Sequence, residues 1–335
     1  MRLESQCHEL EERLKLPYLS AHLEAILLSG GLDSSILAGL FRPQYAITVG
    51  FGSDAEDLFF SEYVAKRFCK YHIKVILNAE TLLSIMEKLV ELMKTFDPIE
   101  IRNSSVLYAG IEESKRRGMA RVLTGDGCDE LFAGYDYMRR LDNARRDMEL
   151  ELIRLWQVMR FSSHQIGDAL GVRVLSPYLE KPFFDYARSL GISEKVGSYR
   201  GKNWGKFVLR KCFEQELGED IAWRSKRAQE TGANITSITG TINEAFDDDK
   251  FIVEKTNALS EGVSIRNKEH LYYYLLYRRR FPPPGVEYKG SEPRCPNCLC
   301  QFKWKGKYCR TCGSYPVLPK FERDLKDVRN EAISR

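Results

Sequence analysis

The 335-residue chain has no internal repeat, no low-complexity tract, little excess charge and no long apolar run near its start. The first two absences exclude a solenoid and a disordered array. A net charge of +4, from 51 Lys and Arg against 47 Asp and Glu, falls well short of a histone-like binder, so charge permits nucleic-acid contact without implying it. Residues 25–28 form the longest apolar run near the amino end. That run is too short for a signal sequence or a membrane span, and the expected setting is cytoplasmic, with no membrane partner. A hydrophobic content of 43% still allows a sizeable core, as one large domain plus something smaller or as two domains.

Leu10, Leu14 and Leu16, spaced as on a helix and followed by Pro17, predict an N-terminal helix within residues 1–20. Strand-like apolar runs at 25–28, 45–51, 74–77 and 121–123 then alternate with helical patterns at 34–40, 56–68, 82–95 and 105–117. Alternation of this kind predicts an α/β fold, a parallel sheet with helices on both faces. Beyond Gly134 the strand signal fades, and helices are expected at 136–160, 165–170, 206–216 and 270–279, giving a helical second half to a domain spanning 21–280. The run Phe281-Pro282-Pro283-Pro284-Gly285 opens a Pro-rich linker at 281–291. A separate small module at 292–320 and a charged tail at 321–335 are expected to follow.

Two nucleotide signatures are missing as well. The chain lacks the Lys and spacing of a Walker A loop and the G-x-G-x-x-G of a dinucleotide site, which disfavours γ-phosphoryl and hydride transfer. In their place stands Ser29-Gly30-Gly31-Leu32-Asp33-Ser34-Ser35, right after the first apolar run. The glycines let backbone N–H groups approach an anion, the serines donate hydrogen bonds, and the following helix turns its positive end toward phosphate. This is read as a pyrophosphate loop, built for polyphosphate. Further along, Leu123-Thr124-Gly125-Asp126-Gly127-Cys128-Asp129-Glu130 ends a strand in a Gly-rich turn with three carboxylates, at the edge where open α/β sheets bind ligands. Carboxylates beside a polyphosphate imply Mg²⁺.

These blocks resemble the synthetase domain of asparagine synthetase, an N-type ATP pyrophosphatase, over roughly residues 21–234. The resemblance implies an adenine nucleotide alpha hydrolase-like fold and an ATP split between its α- and β-phosphates. AMP would pass to a carboxylate or carbonyl oxygen and then be displaced by ammonia or an amine. Asp33 and Asp129 match the family's metal-binding aspartates, which implies Mg²⁺ at these two residues. The stretch from Thr124 to Tyr135 is similar to T-G-E-G-x-D-E-[LV]-F-x-G-Y, with Gly125 beside the nucleotide and Asp126 replacing a Glu expected to act on the acceptor or the incoming amine. Residues 162–181 resemble a helix and loop ending in R-x-P-F-L-D. Glu180 replaces the Asp there, Leu175 stands where the Arg would fall, and Arg173 lies slightly earlier, all where the acceptor is expected. Lys206-Phe207-Val208-Leu209-Arg210 and Trp223-Arg224-Ser225-Lys226 resemble K-x-x-L-R and W-R-x-K. The resemblance makes Lys226 the catalytic cation that stabilises charge on the phosphates and adenylate, and puts Lys206 and Arg102 at phosphate-contacting positions.

The loop begins by residue 29, so no glutaminase domain is expected ahead of it. Nitrogen would then be free ammonia, come from a separate donor subunit, or already sit on the substrate, as in β-lactam synthetase relatives. At the other end, Cys295-Pro296-Asn297-Cys298 and Cys309-Arg310-Thr311-Cys312 are two C-x2-C knuckles spaced as in a zinc ribbon, implying structural Zn²⁺ on four thiolates, with Cys300 as a spare. The scattered Cys7, Cys69, Cys128 and Cys212 fit a reducing compartment. Lys303, Trp304, Lys305, Lys307, Tyr308 and Arg310 form a basic and aromatic mix able to grip RNA. The leading reading is a ligase acting on a small carboxylate, with a homo-oligomer compatible. The alternative is a tRNA-modifying enzyme that installs nitrogen or sulfur on an adenylated base and docks RNA on the ribbon. Sulfur transfer needs a working cysteine pair or an iron–sulfur cluster, and only Cys128 falls near the presumed site. A degenerate nucleotide-binding scaffold would have lost Asp33, Asp129 or Lys226, and all three are present.

Overall fold

A computed structural model describes residues 2–19, 23–138, 145–286, 293–301 and 307–317. The chain divides into two compact units, Met1–Asn78 with Val106–Asn234, and Ala79–Ser105 with Ile235–Arg335.

In the first unit β1 (Ala25–Leu27), β2 (Tyr45–Phe51), β3 (Tyr71–Leu77), β4 (Arg121–Leu123) and β5 (Arg173–Leu175) form one parallel sheet in the order β3-β2-β1-β4-β5. The apolar runs that lacked polar alternation are the central strands, where Ile26, Ala46, Ile47 and Val122 are buried and helices cover the sheet. Helix Arg2–Lys15 adds Leu10 and Leu14, both fully buried, to a core that includes Ile26, Leu28, Ile36 and Leu37. The strand order changes direction between β1 and β4. Open α/β sheets bind ligands at the carboxyl ends of two such strands, and here the Ser29 loop follows β1 and the Thr124 turn follows β4.

Two strand features escape the sequence reading. β5 has only three residues, inside a segment read as helix and loop, and its pairing with β4 (Arg121↔Arg173 to Leu123↔Leu175) makes it a strand. The helical second half also contains an antiparallel hairpin, β6 (Val196–Tyr199) and β7 (Lys202–Gly205). Its turn puts Arg200 (φ 51°) and Gly201 (φ 73°) in the left-handed region, as two-residue hairpins require, but without the usual Asn-Gly signal.

The cysteine reading also needs correction. Cys7 and Cys212 form a disulfide joining helix Arg2–Lys15 to helix Phe207–Leu217, with Cα atoms 5.1 Å apart. The two helices pack side by side, a proximity that a separation of 205 residues conceals, so the cysteines no longer argue for a reducing compartment.

The second unit packs helices Ala79–Met93, Ile238–Glu244, Asp248–Ser260 and Lys268–Arg278 with Phe96 among His270, Tyr274 and Tyr277. The cysteine knuckles, expected as a separate module beyond a linker, are part of this unit. Thr95 Oγ1 donates to Arg310 O (2.7 Å), Phe96 N–H to Thr311 O (2.9 Å), and Arg266 to Gly313 O (2.7 Å) and Cys312 O (2.9 Å). The rest of the expected linker, part of the ribbon and the charged tail lie outside the described residues. Among the described residues, no helix is long and apolar enough to cross a membrane.

Candidate active site

The Ser29 loop is shaped by sterics before any ligand is considered. Gly30 has φ 68°, and a Cβ there would run into the Phe60 backbone of helix Glu56–Phe68, so only glycine fits both the turn and the contact. Gly31 caps helix Leu32–Phe41 without a side-chain acceptor, and the first N–H in the helical ladder is that of Ser35, donating to Gly31 O (3.0 Å). The N–H groups of Leu32, Asp33 and Ser34 precede it at the helix's positive end. Ser29 Oγ accepts from Gly31 N–H (3.2 Å) and lies 3.2 Å from Ser34 Oγ. Ser35 Oγ is buried and, among the described residues, has no hydrogen-bond partner. An orphaned hydroxyl behind a glycine turn and a helix start suits an anion.

Four charged side chains meet beside this loop. Lys206 Nζ donates to both carboxylate oxygens of Asp33 (2.7 and 2.6 Å) and lies 2.6 Å from Asp129 Oδ1, while Lys226 Nζ donates to Asp129 Oδ2 (2.7 Å). Lys206 is only 3% exposed. Its backbone is left-handed (φ 58°), strain that the surroundings must impose on a non-glycine residue. Its N–H donates to Phe132 O (2.7 Å), and Gly205 lets the β7 backbone close on the Ala133 carbonyl. Burial alone would raise the Asp129 carboxyl, but the charges of Lys206 and Lys226 outweigh it and hold that group below the ordinary carboxylate range. Burial would likewise lower the Lys206 ammonium, and Asp129 and Asp33 overcome this and raise it. Two lysines and two aspartates are thus packed together beside the Ser29 loop.

The asparagine synthase family model matches residues 24–165 and 141–251, more than half of the chain. The protein belongs to the asparagine synthase family. It is 28% identical over 301 residues to asparagine synthetase B [glutamine-hydrolyzing] of Escherichia coli K12, covering 83% of this chain and 53% of that protein. It is 26% identical over 281 residues to asparagine synthetase [glutamine-hydrolyzing] 1 of Arabidopsis thaliana, covering 77% and 48%. The chain thus spans about half the length of these curated relatives. A solved structure described as a predicted subunit of tRNA methyltransferase from Methanocaldococcus jannaschii aligns with 62% of this chain and 96% of its own at 17% identity. Its TM-score of 0.28 is too low to carry an argument.

In this member of the asparagine synthase family, some of the residues expected from sequence gather beside the loop and others are bound by different partners. Asp33, Asp129, Lys206 and Lys226 gather, and Gly125 comes close to Asp33, where an added Cβ would lie 3.2 Å from the Asp33 Cβ. Asp126, expected at the acceptor, turns into a polar network instead: its Oδ2 accepts from Thr124 Oγ1 (2.8 Å) and Ser163 Oγ (2.5 Å), and Thr124 Oγ1 is 3.0 Å from Ser176 Oγ. Burial pushes its carboxyl up despite those two donors. Glu180, also expected at the acceptor, accepts from Tyr18 OH (2.8 Å), whose ring packs edge-on against Phe41 at the far end of the helix that begins beside Asp33. Arg173 is exposed at the amino end of β5, away from the edge that carries the loops, and Leu175 is core. Arg102, expected on phosphate, belongs to the second unit, where Glu269, itself 3% exposed, binds it at 2.8 and 2.6 Å. The opposite charge that claims Arg102 lies 167 residues away in sequence. Cys128 is fully buried, and burial raises its thiol well above the ordinary value, which makes it a packing residue and a poor sulfur carrier.

Two side chains that brace the loop were missed. Arg224 Nη1 donates to Ser29 O (3.1 Å), its Nη2 donates to Asp57 Oδ1 (3.0 Å), and its guanidinium lies 3.9 Å above the Phe60 ring. It ties the loop to the segment that carries Lys226. Burial raises the Asp57 carboxyl to about 6, against the lowering by Arg224. Asp57 falls in a helix pattern with no motif around it, so sequence held no signal for it; Arg224 stood within the W-R-x-K block and could have been singled out.

In the second unit Cys295, Cys298, Cys309 and Cys312 are buried with their sulfurs within 4.8 Å of one another. The Cys295–Cys312 and Cys298–Cys309 sulfurs are 3.8 and 3.7 Å apart. A tetrahedron of four thiolates at a Zn–S distance of about 2.3 Å has edges of about 3.8 Å, so the donor set fits zinc. Cys300 Sγ lies 3.4 Å from Cys309 Sγ, outside that set of four. Tyr308, expected on an RNA-facing surface, donates its hydroxyl to Asp97 Oδ2 and docks the second knuckle instead. Lys303, Trp304 and Lys305 lie outside the described residues.

Proposed function

We propose that the protein is an AMP- and pyrophosphate-forming ligase that adenylates a carboxylate, or another carbonyl oxygen, and passes ammonia or an amine to it. The observation that carries this reading is the convergence of Lys206 and Lys226 on Asp129 and Asp33 beside the Ser29 loop, at the switch point of the sheet. Ser29, Gly30, Gly31, Ser34 and Ser35 would cradle the β- and γ-phosphates, with Arg224 fixing the loop from behind. Incoming phosphates would offer the two ammonium groups new partners, and Asp33 and Asp129 would be the residues that hold Mg²⁺. That ion would neutralise polyphosphate charge. Lys226, the less buried lysine, would follow negative charge onto the α-phosphate as AMP is transferred. Nitrogen would arrive as ammonia, on the substrate, or from a separate donor subunit.

The test is AMP and pyrophosphate release from ATP with Mg²⁺, using ammonium or glutamine together with aspartate or other small acids, against bulk tRNA. Acid-dependent AMP supports the proposal; ADP as product, or no AMP with any acceptor, refutes it. AMP release that requires tRNA alone would move the acceptor to RNA.

Cys295, Cys298, Cys309 and Cys312 would hold a structural zinc ion. Purified protein should contain one zinc per chain by elemental analysis, and Cys298→Ser should lose it and melt at lower temperature. Metal-free protein with an unchanged melting temperature would refute the assignment.

A further inference from the structure

We propose that the first unit carries a second ligand site, a pocket for a small anion with an apolar body, at the opposite end of the sheet from the Ser29 loop. A cavity of about 640 Å³ opens there, a size common among small-molecule sites. It lies at the amino ends of three strands, where Leu23 precedes β1, Gln44 precedes β2 and Lys70 precedes β3. Part of its wall is apolar, built from Leu19, Leu23, Leu40 and Phe41, and Leu19 is 77% exposed. An apolar rim left that open favours a ligand body that covers it.

The charge lining this cavity has one sign. Lys15, Arg42 and Lys70 line it, and among the described residues no acidic side chain does. Lys15 is paired with Glu11, but among the described residues neither Arg42 nor Lys70 meets a carboxylate. Their charged groups lie over ring faces instead, Arg42 5.7 Å from the Phe68 centroid and Lys70 5.1 Å from that of Tyr71. Arg42 also occupies the left-handed position (φ 45°) that ends helix Leu32–Phe41, a backbone that glycine adopts without strain. A cation suits the negative end of that helix, but the helix gives no reason for Lys70 to stand unpaired on the same cavity. Two unpaired cations over an apolar wall match a carboxylate, sulfonate or phosphate attached to an aliphatic or aromatic body.

The site is independent of the proposed reaction and is tested without it. The full-length protein is titrated with 8-anilinonaphthalene-1-sulfonate, an anion with an apolar body, and with uncharged N-phenyl-1-naphthylamine. The sulfonate should bind saturably, one per chain, and weaken when salt is raised from about 50 to about 500 mM. The uncharged analogue should not saturate. Octanoate and benzoate, added separately, should displace the sulfonate and show whether the body is aliphatic or aromatic. Arg42→Gly removes the cation while relaxing the backbone, so it should keep or raise the melting temperature yet weaken binding about tenfold or more; Lys70→Gln should weaken it similarly. Affinity unchanged in both variants, absence of saturable binding, displacement by neither carboxylate, or competition by ATP would each overturn the proposal.

Discussion

Replacing Lys226 with Ala should lower pyrophosphate release by on the order of 10²–10³ while leaving ATP binding within a few-fold of the original. The expectation follows from how charge is shared around Asp129. Lys226 supplies one of two ammonium groups to that carboxylate, at 2.7 Å, and Lys206 supplies the other from a fully enclosed position. Removing Lys226 therefore leaves Asp129 paired, and the folded protein should lose no more than about 1 kcal/mol, as for other partly exposed ion pairs. Phosphate binding draws on the loop, its N–H groups and Lys206, none of which the substitution touches. The charge that develops as AMP leaves pyrophosphate depends on a cation able to move with it, and a side chain with 29% of its surface exposed has that freedom. Single-turnover release of labelled pyrophosphate, with nucleotide affinity measured separately, distinguishes the two effects. Turnover within tenfold of the original protein would remove Lys226 from the reaction.

Lys206→Met should instead cost stability, about 3–5 kcal/mol at neutral pH, because it leaves two enclosed carboxylates without the ammonium that both share. The pH dependence identifies the cause. In the original protein the folded Asp129 pKa is depressed below its unfolded value, so its contribution is present above that unfolded value and is lost as pH falls toward the folded one. In the variant the carboxylates face each other with Lys226 as their remaining cation, and one folded pKa rises. A raised acid contributes stability that is complete below its unfolded pKa and is lost as pH rises through the folded value. The deficit should therefore shrink as pH is lowered from about 7 to about 5, measured by denaturant midpoints. An equal deficit at both pH values would mean that lost packing, and not unpaired charge, explains the effect. Adenylation should fail as well, since the Asp33–Asp129 spacing is set by the ammonium between them.

What sequence revealed here followed the range of the interactions involved. Helix Glu56–Phe68 and strand Tyr45–Phe51 were readable to the residue, because each is a complete local pattern with its own boundaries. The position of the Ser29 loop was readable because a strand, two glycines and a helix start are contiguous. The partners of its charged groups were not. Lys206 reaches Asp33 across 173 residues, Lys226 reaches Asp129 across 97, and Asp126 meets Ser163 across 37. A motif states which residue types are present and leaves open which neighbour claims each one. Arg102 and Glu180 show the cost of that gap: each stands in a matching frame, and each is held by a side chain that no local pattern announces. The hairpin before Lys206 was hidden for a different reason, since Arg-Gly can take the tight turn but seldom advertises it.

The docking of the cysteine knuckles against Thr95, Phe96 and Arg266 also sets an order of assembly on the ribosome. The first unit has all of its residues once Asn234 has been made, whereas helix Ala79–Met93 emerges early and meets its packing partners only when residues 235–317 follow. Its apolar face, with Leu82, Ile85, Met86 and Leu89, must wait through more than a hundred further residues of synthesis before Tyr273 and its neighbours arrive to cover it. The last knuckle to be made thus joins a unit whose first helix was among the early products of translation.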